Sequence, residues 1–273
     1  MTQTNAQTGK VGQPGALTAP PVLPAARAGA LSMLQDENVH LGDLAGVIEV
    51  DPALTLVLLR AANSAQSASR RHIDHPRDAM IRIGLAATKR LVAAAVVGGA
   101  FTDLGECGID VDAFWVHSIA VAVVAESACT VSRLRPAAFS AGLLHDVGRL
   151  MLAASARRAY PAISERARSE TMVLAAEGVI FGENHAIAGG RVLGSWGISP
   201  EIAAAVGGHH GQPATDLDRA LLQARHVVEA VGYADGLSRR FEPPGQPPVE
   251  PSAASTLHAR VEWYRSALRG AGV

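Results

Sequence analysis

The stretch "AFSAGLLHDVGRLML", residues 138–152, sets the hardest constraint on what this chain can fold into. It is apolar on both sides of a charged pair, His145–Asp146. An imidazole and a carboxylate carried inside are tolerated only when they bind each other, a backbone group or a metal. The fold therefore has to bring polar partners to this pair.

The rest of the chain reads as helix almost throughout. "LGDLAGVIEVDP" carries Leu41, Leu44, Val47 and Ile48 at helical spacing. Asp51–Pro52 closes that segment and opens the next, with Asp51 as cap and Pro52 at the first helical position. "ALTLVLLRAANSA" is apolar nearly all round and reads as a central helix, ended by Asn63, which bonds backbone there. Two short helices broken at Gly84 follow. A long helix starts near Asp112, and the 138–152 stretch reads as one further helix entered at Pro136. Residues 173–197 read as helical despite their glycines, and Ser199–Pro200–Glu201 is a strong helix start. "LDRALLQARHVVEAVG" completes the series, with Asp216 and Asp218 as capping residues. No period-2 segments with hairpin turns stand out, so the fold class is all-α.

Residues 1–21, rich in Thr, Gln, Gly and Pro, are expected to be a disordered leader. Residues 241–252 form a Pro-rich linker, and 253–273 a last amphipathic helix docking through Trp263. Hydrophobic residues are 48% of the chain and aromatics 4%, so the core is built from Ala, Val, Leu and Ile. The net charge of −1 gives no electrostatic case for nucleic acid or an anionic membrane as partner. The apolar run 91–101 is too short to cross a bilayer. Two cysteines, Cys107 and Cys129, fit a reducing cytoplasm and read as inert.

Histidines in helical, apolar contexts recur in order: His117, then His145–Asp146, then His185, then His209–His210. Imidazole and carboxylate are the donor types that zinc, iron and manganese take. A lone buried histidine is more often a packing residue than a ligand; the ordered series is more specific than any member.

Together with "LAGVIEVDPALTLVLLRAANSA" (44–65) and "AMIRIGLAATKRL", this series resembles the HDOD domain family, a bacterial all-helical relative of the HD phosphohydrolase superfamily. The resemblance covers residues 22–240: an HDOD-specific amino-terminal part, about 22–105, packed on an HD-like bundle, about 106–240. It implies a signalling or regulatory module, since most HDOD proteins are regarded as lacking the activity of their HD relatives. Catalytic HD enzymes use one His, a His–Asp pair and a final Asp as metal ligands. His117, His145 and Asp146 match the first three, and the preferred register puts Arg225 at the fourth. At 100° per residue, Arg225 flanks the apolar face of its helix, and His226 points away. A guanidinium there repels a divalent cation and is expected to pair with Asp146 instead. The HD-GYP branch resembles the chain further at His185, His209 and His210. The "GYP" loop is missing, and Arg149 stands where that branch has a lysine.

The expectation is a non-catalytic regulatory protein, binding a signalling partner or a small anionic nucleotide through a degenerate pocket of His117, His145, Asp146, Arg149, His185, His209, His210 and Arg225. No cofactor is expected, and oligomers are possible. The runner-up is a metal-dependent phosphohydrolase holding iron, manganese or zinc on His117, His145, Asp146, His185, His209 and His210. A third reading makes every histidine a packing residue of a scaffold.

Overall fold

A computed structural model of the chain describes residues 21, 23–34, 36, 38–64, 72–101, 104, 107–237 and 250–269. The expected leader lies outside these residues but for position 21, and so does the linker but for 250–252. Among the described residues the chain is helical, with one isolated antiparallel bridge, Ile109 to Leu237.

The amino-terminal helices are α1 (Ala25–Met33), α2 (Leu41–Glu49), α3 (Pro52–Asn63), α4 (Pro76–Ile83) and α5 (Leu85–Gly98). Asp51 caps α3, accepting from the Ala53 and Leu54 amides at 2.9 and 3.3 Å, and its other oxygen takes Arg27 Nε at 2.8 Å. Asn63 ends α3 and bonds both the N–H and the C=O of Ile73, at 2.9 and 2.6 Å. Gly84, at φ 83°, makes the break between α4 and α5.

The centre is α6 (Val111–Ala128), capped by Asp110 and packed on helices that follow it, the next one and the last two of the chain. It is long and apolar enough to cross a membrane by length and composition, with mean hydropathy 1.4, yet 56% of that window is buried inside the fold. Phe114, Trp115, Ile119 and Val121 make it the core helix. After it come α7 (Arg135–Leu144), α8 (Val147–Ser155), α9 (Tyr160–Arg166), α10 (Glu170–Phe181), α11 (His185–Ser195), α12 (Pro200–Gly207), α13 (Asp216–Val231) and α14 (Pro251–Leu268).

Four expectations need correcting. Residues 138–152 are two helices, because the backbone leaves the helical region at Asp146 (φ −102°, ψ 7°). Residues 173–197 are also two, separated by Gly182 in the left-handed region, with Asn184 capping the second. Thr215 caps α13, and Asp218 closes a capping box with it, so neither Asp216 nor Asp218 is the cap itself. The last helix opens at Pro251, two residues before the expected start. It lies against α3, α5 and α6, with Trp263 Nε1 donating to Ser64 Oγ at 3.1 Å and Tyr264 packed on Phe139.

Close helix approaches depend on missing side chains. A Cβ on Gly148 of α8 would stand 1.9 Å from the His185 carbonyl oxygen, and one on Gly142 of α7 2.6 Å from Ala122 Cα. Gly178, within α10, has nothing within 4 Å. Gly148→Ala should therefore destabilise the protein by at least about 1–3 kcal/mol through forced displacement of α8 from α11. Gly178→Ala should instead stabilise it by about 0.5–1 kcal/mol through reduced chain entropy. Urea unfolding of the two variants checks the opposite signs.

Candidate functional site

The break between α7 and α8 decides the site. Asp146 sits at the N-cap of α8, yet its carboxylate makes no capping bond. An aspartate there normally accepts from the first helical amides. This one is turned inward and is 2% exposed.

Its two oxygens face different groups. Oδ2 lies 3.2 Å from Arg149 Nε and 3.4 Å from His145 Nε2. Oδ1 lies 3.3 Å from His185 Nε2 and 3.4 Å from His209 Nε2. His117 joins on the His145 side, ring centroids 5.5 Å apart. Five elements converge here: α6, the α7–α8 junction, α8, the start of α11 and the end of α12.

The protons follow from the outer partners. His145 Nδ1 lies 2.8 Å from the Gly142 carbonyl and His209 Nδ1 2.7 Å from the Val206 carbonyl. A carbonyl only accepts, so both Nδ1 atoms carry hydrogen. Both Nε2 atoms then present bare lone pairs to Asp146. Burial holds both rings neutral, pushing His209 down to about 3 and His145 well below its usual value. Asp146 Oδ1, His209 Nε2 and His117 Nδ1 are buried without a hydrogen-bond partner. Such orphaned atoms mark a place where a cation, proton or ligand changes the balance.

His185 is the exception. Its Nδ1 and its amide both bind Glu177 Oε2, at 2.7 and 2.9 Å, and Glu177 Oε1 accepts from Tyr160 at 2.8 Å. Burial and Arg149 oppose a charged His185, but Glu177 and Asp146 outweigh them and its pKa is raised. Its Nε2 faces His210 Nε2, 2.9 Å away, and donates to it when His185 is protonated.

Arg149 carries the balancing charge. It is 2% exposed and also donates from Nη1 to Asp235 Oδ2 at 2.8 Å, with Glu170 Oε1 at 3.7 Å from Nη2. Burial raises the cost of a charged Asp146, yet the Arg149 guanidinium, with the His185 ring beside it, holds its pKa well below the usual carboxylate range. The expected pairing of Arg225 with Asp146 is thus corrected. Arg225 is buried on α13, with His226 exposed, but it donates to the His209 carbonyl at 2.9 Å and to Glu170 Oε1 at 2.6 Å. Arg149, one turn after Asp146, reaches the carboxylate first.

All eight expected residues belong to this one network. Sequence reasoning missed four more: Tyr160, Glu170, Glu177 and Asp235. Glu177 carried a signal, since Val173, Glu177 and Phe181 form one buried face of α10. Asp235, in the segment after Gly232, carried none.

A divalent ion would find donors of the right kind. Asp146, His185, His209 and His210 each offer an atom within 4.8 Å of the others, as do His117, His145 and Asp146. The carbonyl-anchored Nδ1–H groups resemble the outer partners that orient metal-bound histidines. Against this, each group has one carboxylate, and Arg149 already lies on it.

The chain belongs to the HDOD family, whose domain model matches residues 21–212. The match ends before α13. A candidate phosphohydrolase from Shewanella amazonensis SB2B is similar over 91% of this chain and 94% of its own, at 23% identity and TM-score 0.72. An HDOD domain protein of unknown function from Geobacter sulfurreducens matches 93% of this chain and 85% of its own, at 22% identity and TM-score 0.63. A candidate signal transduction protein from Marinobacter aquaeolei VT8 matches 92% of this chain and 59% of its own, at 19% identity and TM-score 0.68. These likenesses show a shared helical fold. No curated protein matches the chain.

His185 predicts a pH dependence. With its pKa raised above 6.5 in the folded state, the folded chain holds this proton more tightly than the unfolded one. The stability so contributed is complete below pH 6.5 and lost as pH rises through the folded value. His209 and His210, pushed down to about 3 and about 4, act on the acid side alone. Thermal unfolding measured from about pH 6 to 9 should show Tm falling, and Glu177→Gln should flatten that fall.

Proposed function

We propose that this protein is a non-catalytic signalling module of a bacterial cytoplasm, whose HD-like centre binds a partner protein or a small anionic ligand. The observation that carries this reading is the Arg149 guanidinium lying 3.2 Å from Asp146, where a catalytic ion would need that carboxylate. Arg225 adds a second buried positive charge on α13. In a low-dielectric interior, two fixed guanidiniums disfavour a divalent cation beside them.

The inner residues His145, Asp146, His185 and His209 are 6% exposed or less. A ligand therefore meets the rim, where Glu170 is 36%, Asp235 21% and His210 11% exposed in their side chains. Buried, unbridged Cys107 and Cys129 accord with a reducing compartment.

A second reading stays in play because of the orphaned lone pairs of His209 and Asp146. In it, His117, His145, Asp146, His185, His209 and His210 hold iron, manganese or zinc, which would activate water for phosphoester hydrolysis.

Elemental analysis of freshly purified protein separates the two. The regulatory reading expects metal far below one ion per chain and no phosphodiester hydrolysis. Near-stoichiometric metal, lost in His145→Ala, would overturn it. Arg225→Asp removes one guanidinium and supplies a second carboxylate, so this variant should gain metal and a metal-dependent rise in Tm. If it binds no more metal than the natural chain, Arg225 is not what excludes the ion.

A further inference from the structure

The two buried guanidiniums share one neighbour. Glu170 Oε1 lies 2.6 Å from Arg225 Nη2 and 3.7 Å from Arg149 Nη2, so a single oxygen touches both. Asp235 Oδ2 takes the remaining arm of Arg149, at 2.8 Å. These carboxylates differ from the inner ones. Asp146 and Glu177 are 3% and 0% exposed in their side chains, whereas Glu170 and Asp235 reach solvent. Glu177 is committed to Tyr160 and His185.

Glu170 stands in the first turn of α10, which is packed mainly on α9. Asp235 stands in the strap 233–237 that follows Gly232. The strap is clipped to the start of α6 by the Asp110 amide on the Gly236 carbonyl, at 2.8 Å, and by the Ile109–Leu237 bridge. Gly236 has φ 80°, and a Cβ there would stand 2.7 Å from the Asp110 carbonyl oxygen, so the backbone crosses at close range.

Withdrawing both rim carboxylates would leave Arg149 with Asp146 and the His185 ring, and Arg225 with the His209 carbonyl and the His210 ring, so one carboxylate would face two guanidiniums. That is a local loss of two negative charges around two buried guanidiniums. The shape of the shortage specifies what fills it: two linked anionic groups, one bridging both arginines and one on Nη1 of Arg149. Arginine forks match phosphate oxygens in this way.

We propose that Glu170 and Asp235 are displaceable internal anions covering a two-arginine site, and that the site takes a small phosphate-type dianion across Arg149 and Arg225. This rests on the regulatory reading above, in which the arginines have displaced the metal. The closed form competes with the ligand, so the apparent affinity falls by the fraction of chains that are open. Release of the strap is the output. Tyr233, its first residue, packs against His258 of α14 at 5.3 Å between ring centroids, so opening is felt at the carboxy-terminal helix.

The test uses the full chain, with inorganic pyrophosphate and ADP as separate probes in calorimetric titrations. The double variant Glu170→Gln, Asp235→Asn keeps the shapes and removes the charges. It should bind one probe at least about tenfold more tightly than the natural chain, since the closed state no longer competes. ADP binding more tightly than pyrophosphate assigns the site to a nucleotide's diphosphate; the reverse order assigns it to the free ion. Adding Arg225→Met to the double variant should abolish the gain. In the natural chain, saturating probe should raise amide hydrogen exchange across 233–237, a readout that needs no variant. If neither probe binds the folded double variant more tightly, and exchange in the strap is unmoved, the inference is overturned. Equal binding after Arg225→Met overturns it too, as an adventitious ion only. Metal content and phosphate release, measured on the same samples, report separately on the regulatory reading.

Discussion

One buried carboxylate organises this molecule. Asp146 lies at a helix start, where its side chain would ordinarily cap the backbone, and is spent instead on four side chains from three other places in the chain. Burying it is tolerable because Arg149 is buried with it, and Arg149 is tolerable because Asp146 and Asp235 surround it. Each member would be a large penalty alone. The charges are therefore balanced as a unit, with Asp146 Oδ1, His209 Nε2 and His117 Nδ1 left without hydrogen-bond partners.

The helices serve that unit. Glycines let α8 approach α11 and α7 approach α6 at backbone contact, which brings His185 and His117 to the His145–Asp146 junction. The rings are then held from behind by the Gly142 and Val206 carbonyls and by Glu177, so their orientation does not depend on what occupies the centre. In this chain Arg149 lies on Asp146, and the rim carboxylates Glu170 and Asp235 pair with the two arginines.

Much of the fold was legible residue by residue. Asp51–Pro52, Gly84 and Ser199–Pro200 announce helix boundaries through local backbone chemistry, and the structure has them. The two long segments read as single helices failed at Asp146 and Gly182. Apolar periodicity runs across both breaks, because the helices on either side face the same core. At Asp146 the backbone leaves the helical region although no glycine or proline marks the place.

The site divides in the same way. The order and residue types of His117, His145–Asp146, His185 and His209–His210 follow from the sequence, and so does the presence of Arg225 on the inner edge of its helix. Which cation meets which carboxylate did not. Arg149 rather than Arg225 reaches Asp146, Glu170 bridges the two arginines, and Asp235 arrives from a segment with no helical period to betray its direction. Composition and spacing determine which groups must be buried, because apolar neighbours carry them inward. Only the tertiary structure decides their partners, because ion pairing depends on distances of a few ångströms set by how separate helices cross.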